Sequence, residues 1–313
     1  MFVADIKTLL AKRWTELTFV EKAAVLSSTG GQLAPEDADA FISSVVDKSS
    51  FLNEVTTKTM TASTAYIDVF AIATRQMRAA VEATLASTAQ TVNFSLTIPR
   101  RTLTPVEVIL APDVSYTFLH ENIERAAAEA HLLGEIVKAV RNDMLDLCVN
   151  ADGSTASFLD INTGWITLAL ADSNVNDADC SGLDAVAALD KVLDTLPEEF
   201  DGMPDQAFCV SRKFRRKFGQ EVAARETMLG DKALSQGGDI SFEGIPLKMV
   251  YRWPSAYVML TPKSNLHVGI SKIITVEKQM QPRKQVIEYT ITLKFDPEYA
   301  YGGFISLGAN VSV

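Results

Sequence analysis

The sequence is poor in the residues that do chemistry. Its 313 residues hold three histidines and three cysteines. His120 and His131 lie about three turns apart on one helical stretch and cannot share a metal through it. His131-Leu132-Leu133-Gly134-Glu135 lacks the second histidine, one turn away, that a zinc-protease helix requires. His267 stands alone, so all three read as surface or packing histidines. Cys148, Cys180 and Cys209 are widely spaced, with no Cys-x-x-Cys. That argues against a disulfide framework or a structural zinc site and suits free thiols made in a reducing cytoplasm. The adjacent glycines Gly30-Gly31, Gly237-Gly238 and Gly302-Gly303 are doublets only, in no dinucleotide fingerprint or phosphate loop, and no nucleophile elbow is present. Turn and loop roles suffice for them.

Long apolar runs are missing as well. No stretch reaches the roughly 18 to 20 residues of a membrane span. The opening MFVADIKTLL carries Asp5 early and is not read as a signal peptide. Positive charge is scarce: the formal net charge is −10. A protein living on phosphate contacts would be basic, so sequence-specific nucleic-acid binding is not expected, though a local basic patch is left open. Asp172-Ser173-Asn174-Val175-Asn176 supplies the first oxygens of a calcium loop. Asp177 then replaces the required glycine and Leu183 the terminal glutamate, so the stretch reads as a solvated acidic loop. The sequence calls for no catalytic residue, cofactor or metal.

What is present is an ordinary globular composition, 47% hydrophobic and 22% charged, long enough for one large or two small domains. Residues 1 to about 48 read as short helices. Thr18 with Glu21 makes a capping box, and Pro35 opens an apolar stripe of Phe41, Ile42, Val45 and Val46. This region is too thin to fold alone and reads as an arm. From about 62 to 111, strand-like ends (Tyr66–Ile72; Val92, Phe94, Leu96, Ile98; Val106, Val108, Leu110) flank an Ala/Thr-rich middle, Gln76–Ala89. The whole reads as a long two-stranded excursion. The clearest helix follows, carried by Leu119, Ile123, Ala126, Ala130, Leu133, Val137, Val140, Met144 and Leu147. Phe158–Ala171 reads as irregular to strand-like, and an Asp-rich loop runs to about 183. Leu183–Leu196 is a helix, Gln206–Val210 a strand and Arg212–Ala224 a basic helix. Short strands follow at Ile245–Tyr251, Tyr257–Leu260 and Leu266–Ile270. Tyr289, Ile291, Leu293 and Phe295 alternate with Glu288, Thr290, Thr292 and Lys294 in a further strand.

This order of elements resembles the Hong Kong 97-type major capsid protein of tailed bacteriophages. The segments FLNEVTTKTM (51–60) and FEGIPLKMVYRWPSAYVMLTPKSNLHVGISKIITVEKQMQPRKQVIEYTITLKFDPEYAYGG carry the local likeness. The resemblance implies an α+β capsid fold: an N-terminal arm (1–50), entry to the peripheral or P domain (51–61), an E-loop hairpin (62–111), and the P domain (112–182) with a spine helix (116–149). An axial or A domain (183–262) and C-terminal P-domain strands (263–313) complete it. It implies a shell protein of the virion, assembled in the host cytoplasm as hexamers and pentamers around double-stranded DNA. Portal, scaffolding and decoration proteins would be its partners, and no membrane is involved. An acidic chain suits such a container, because it does not glue DNA to the wall.

Some relatives cross-link an E-loop lysine to a neighbour. This chain has no lysine between Lys58 and Lys138, so no such bond is expected. The candidate inter-subunit contacts are Arg75, Arg78, Arg100 and Arg101 on the hairpin and Arg212, Arg215 and Arg216 on the basic helix. For that helix, contact with neighbouring subunits is preferred over DNA contact. The plain alternative is a solvated helix anchored by Phe214 and Phe218. A protruding hairpin and arm bury their apolar residues best against neighbours, unless both fold back on their own body. The rival readings are an encapsulin-type shell, a phage tail or baseplate subunit, and a soluble α+β enzyme.

Overall fold

The computed structural model describes residues 31–32, 51–69, 100–115, 128–153, 158–224, 241–271 and 275–312. Its strands are β1 (Gly31–Gln32), β2 (Thr56–Met60), β3 (Ala65–Asp68), β4 (Arg100–Leu103), β5 (Val106–Leu110), β6 (Asp113–Ser115), β7 (Asn176–Asp179), β8 (Gln206–Val210), β9 (Ser241–Phe242), β10 (Ile245–Met249), β11 (Val258–Pro262), β12 (Leu266–Ser271), β13 (Thr275–Gln281), β14 (Val286–Tyr299) and β15 (Ser306–Ala309). The α-helices are α1 (Ala128–Asn150), α2 (Trp165–Ala171), α3 (Ala185–Thr195) and α4 (Arg212–Ala223). The expected arm helices, the hairpin tip with Val92–Ile98, the first turns of the long helix (116–127) and the Gly237-Gly238 loop lie outside the described residues.

β14 organises the first sheet. Its alternation is the one the sequence announces: Ile287, Tyr289, Ile291, Leu293 and Phe295 are buried while their neighbours are half-exposed. Along one edge β13 pairs with its first half and β12 with its second. Along the other edge run β6 and β5. These two share one register across Ala111-Pro112. Pro112 has no N–H to give the ladder, but its carbonyl still accepts from Tyr289 N at 3.1 Å. β2 adds in parallel to β12, and β1 adds to β13. Val106–Leu110, read from sequence as part of the hairpin, is therefore a strand of this sheet.

The second sheet has the order β7-β15-β11-β8-β10-β9. All five residues of β8 and of β11 are buried, because the sheet has a core on each face. Phe208, Val210, Val258 and Leu260 face α3 and α4. Cys209, Met259 and Leu307 join α1, α2 and the inner face of the first sheet in a second cluster. This sheet takes β7 and β15 from outside residues 183–262. β7 was expected to be loop. It is a polar edge strand held by main-chain pairing to β15, so side-chain pattern alone did not mark it.

Trp165–Ala171 is a helix and not the strand-like stretch expected. A seven-residue apolar run has too few periods to type. Trp165, Ile166 and Ala169 are its buried face. Gly164 lets it cross α1 at close range: a Cβ there would stand 2.8 Å from the Val149 carbonyl. Phe51 meets the edge of Trp165 at 6.1 Å, fixing the entry segment.

Candidate assembly surfaces

β3 and β4 form an antiparallel two-stranded ribbon of their own, at the root of the expected hairpin, whose residues 70–99 lie outside the described ones. Its apolar foothold is small. Leu103 is fully buried with Met60, Ile67 and Ala300. It sits over Gly269, where a Cβ would come within 2.9 Å of Met60 Sδ and 3.1 Å of Leu103 Cδ1.

Polar contacts do the rest. Thr104 N donates to Asp296 Oδ2 at 2.7 Å, and Lys58 Nζ donates to the Tyr66 carbonyl at 2.6 Å. Arg101 donates to the Asp172 carboxylate at the end of α2 and lies 4.8 Å from the Tyr299 ring centroid. The Tyr299 hydroxyl reaches Asp172 Oδ2 at 2.9 Å.

The electrostatics of this root are divided. Burial would raise the Asp172 carboxyl, but hydrogen bonds from Asn174 and Tyr299 and the Arg101 charge hold it below its usual value. Asp296 is pushed up to about 6, because burial outweighs the single bond from Thr104. Burial raises Glu298 too, against the Tyr299 N–H and Arg101. His267, which pairs with Glu298 across the strands, is lowered by burial and by Lys58.

Each candidate from the sequence can now be placed. Arg75 and Arg78 lie outside the described residues. Arg100 is exposed, bonds Asp68 at 2.7 Å and covers the Tyr66 ring. Arg101 serves inside the subunit: its side chain is 30% exposed, and its charge is spent on Asp172. Arg212, Arg215 and Arg216 lie on α4, which Ser211 caps by accepting from Phe214 N at 3.1 Å. Phe214 and Phe218 are buried in the second sheet's core, and Arg212, Lys213 and Arg216 are exposed on the opposite side. The Asp172 carboxylate, read as part of an acidic loop, is an internal anchor.

Two carboxylates that sequence reading missed join distant segments. Glu54 accepts from Lys248 at 3.0 Å and Lys263 at 2.8 Å, tying the entry segment to the second sheet. Burial would raise it, yet the two lysines hold it low. Glu221 of α4 takes the Ala185 and Val186 N–H groups, both at 3.0 Å, and so caps α3 from outside. Neither partnership has a local sequence signal. Cys148, Cys180 and Cys209 are buried, and burial pushes the Cys209 thiol up to about 12, which makes it inert. Among the described residues no helix is long and apolar enough to cross a membrane.

Two sheets sharing one core, a long helix between them and a two-stranded ribbon beside the first sheet make up the α+β fold of tailed-phage capsid proteins of the Hong Kong 97 type. A protein of the satellite phage P4 procapsid (a structure that includes the size determination protein) superposes with a TM-score of 0.70 over 96% of this chain and 99% of its own, at 14% identity. In sequence, the chain is 26% identical over 301 residues to the putative prophage capsid protein YqbE of Bacillus subtilis (strain 168), covering 88% of this chain and 93% of that protein. Mycobacterium phage Adephagia gives a TM-score of 0.58 at 16% identity, over 85% and 90% of the two chains. The SrpI encapsulin complex of Synechococcus elongatus PCC 7942 gives 0.53 at 13% identity, over 82% and 85%. No family model matches the chain.

Proposed function

We propose that this chain is the major capsid protein of a tailed phage or prophage, a structural protein with no catalytic role. It assembles with itself into hexamers and pentamers of an icosahedral shell and resides in the virion. The observation that carries the reading is the near end-to-end superposition on the P4 procapsid protein. The described ends of the expected hairpin are consistent with it: among the described residues, β3 and β4 share a small apolar foothold of Met60, Ile67, Leu103 and Ala300. The shell encloses double-stranded DNA without reading its sequence, in keeping with the net charge of −10. A portal ring, a scaffolding protein and a decoration protein are its partners, and assembly takes place in the host cytoplasm.

Electron microscopy of the purified full chain tests this. Closed, regular shells are expected; a monodisperse 34.1 kDa monomer under every assembly condition overturns the reading. The SrpI likeness supports a second reading, a cargo nanocompartment. Native particles holding protein cargo and no nucleic acid would favour it.

A further inference from the structure

We infer that neighbouring copies are joined head to tail by opposite charge, the exposed cations of α4 in one copy meeting the exposed acids of α3 and its following turn in the next. This rests on the shell reading above. The two helices lie side by side on one face of the second sheet and pack on each other, α3 toward the β7 edge, on β7, β15 and β11, and α4 toward β10.

Their outward faces are opposite in sign. Arg212, Lys213 and Arg216 are exposed on α4, and among the described residues none of the three has an ion-pair partner. The helix is anchored from behind by Phe214 and Phe218, so its charges are presented on a fixed rod. On α3 and the turn after it Asp190 and Asp194, one turn apart, are exposed with Glu198, Glu199 and Asp201, against Lys191 alone.

A two-fold contact centred on either helix alone sets like charge on like and is repulsive. In the rings of the shell reading, a rotation that carries the basic helix onto the acidic helix of the next copy repeats the same favourable contact. The occupant of the basic helix is a second copy of this chain.

Charge reversal tests it in the full-length chain. Arg212→Glu with Arg216→Glu, and separately Asp190→Lys with Asp194→Lys, are each expected to lower the yield of rings and shells at least tenfold, read by sedimentation and microscopy. Melting temperature should be unchanged, because all four side chains are exposed. The milder Arg212→Gln with Arg216→Gln should move the yield in the same direction and guards against a folding defect. Placing all four reversals in one chain should restore assembly. Co-expressing the two double variants should restore rings of even number only, since copies of opposite charge must alternate. Full assembly by both double reversals overturns the proposal, and so does a fourfold variant that stays unassembled. Shells that form normally but lose DNA only in the arginine variant would give the helix to nucleic acid instead. If the unaltered chain never assembles, the shell reading itself falls.

Discussion

The second sheet and the hairpin root are held by different means. The sheet is buried on both faces, and fully enclosed side chains such as Phe208, Leu189, Val210 and Leu260 carry it. The root has four buried apolar residues and depends on Arg101–Asp172–Tyr299, Lys58–Tyr66 and Thr104–Asp296. Apolar burial is non-directional and sums over area. Charged hydrogen bonds are few, directional and sensitive to pH. The described residues thus hold one body that folds by its own enclosure and one two-stranded ribbon whose attachment can be changed bond by bond.

The largest effect should come from breaking the enclosed body. Phe208→Ala leaves a cavity between the sheet and its helices and should cost about 3–5 kcal/mol, seen as a large drop in melting temperature and loss of soluble chain. Asp172→Ala strips the half-buried Arg101 of its carboxylate and leaves the Tyr299 hydroxyl with the Leu168 carbonyl at 3.2 Å alone. It should cost about 2 kcal/mol, less than a fully buried pair because Arg101 keeps 30% exposure. Hydrogen exchange should rise at 65–68 and 100–103 and stay unchanged in β8 and β11. An equal rise in both regions would erase the contrast between them.

Acidity should sharpen the comparison further. Asp296 ionises near 6 in the folded chain, against 3.8 for an ordinary aspartate. The folded state therefore holds the extra proton between those values, and Asp296, after allowing for its partial exposure, adds about 1–2 kcal/mol as pH falls from 7 toward 4, while His267, held below its usual value, works the other way in the upper part of that range. Below that range the depressed Asp172 begins to protonate and the trend reverses. Asp296→Asn keeps an acceptor for Thr104 N and should flatten the pH 4–7 profile of exchange at the root; a profile identical to the parent's would count against the assignment. The smallest effect belongs to Arg100→Ala. Its partner Asp68 is exposed and its charge is solvated, so melting should barely move although Arg101 is the next residue.

Elements whose burial follows a period were readable in the sequence. β14 alternates, α3 and α4 show helical stripes, and β8 is a short apolar run between polar turns. Trp165–Ala171 was misread because a short helix buried against α1 presents the same apolar run as a buried strand. β7 was missed because its pairing is main-chain only, and Val106–Leu110 was assigned to the hairpin because alternation marks a strand but not its partner. The two adjacent arginines show the same limit at the candidate surfaces. Only the fold shows that Arg101 turns inward to Asp172, 71 residues away, while Arg100 stays outside. The basic face of α4 was legible from Phe214 and Phe218 at spacing four. The exposed acids of α3 and of the turn after it, Asp190, Asp194, Glu198, Glu199 and Asp201, follow no single period and were not singled out.

β14 has a mechanical consequence. Its 14 residues span roughly 45 Å, with the exposed 282–285 turn at one end and Tyr299, a seat of the hairpin root, at the other. Its first residues are held from both edges by β13 and β6, and β12 and β5 meet at Phe295, whereas 296–299 are bonded to β12 alone. Bending of this strand under load should therefore concentrate in its last four residues, beside the root.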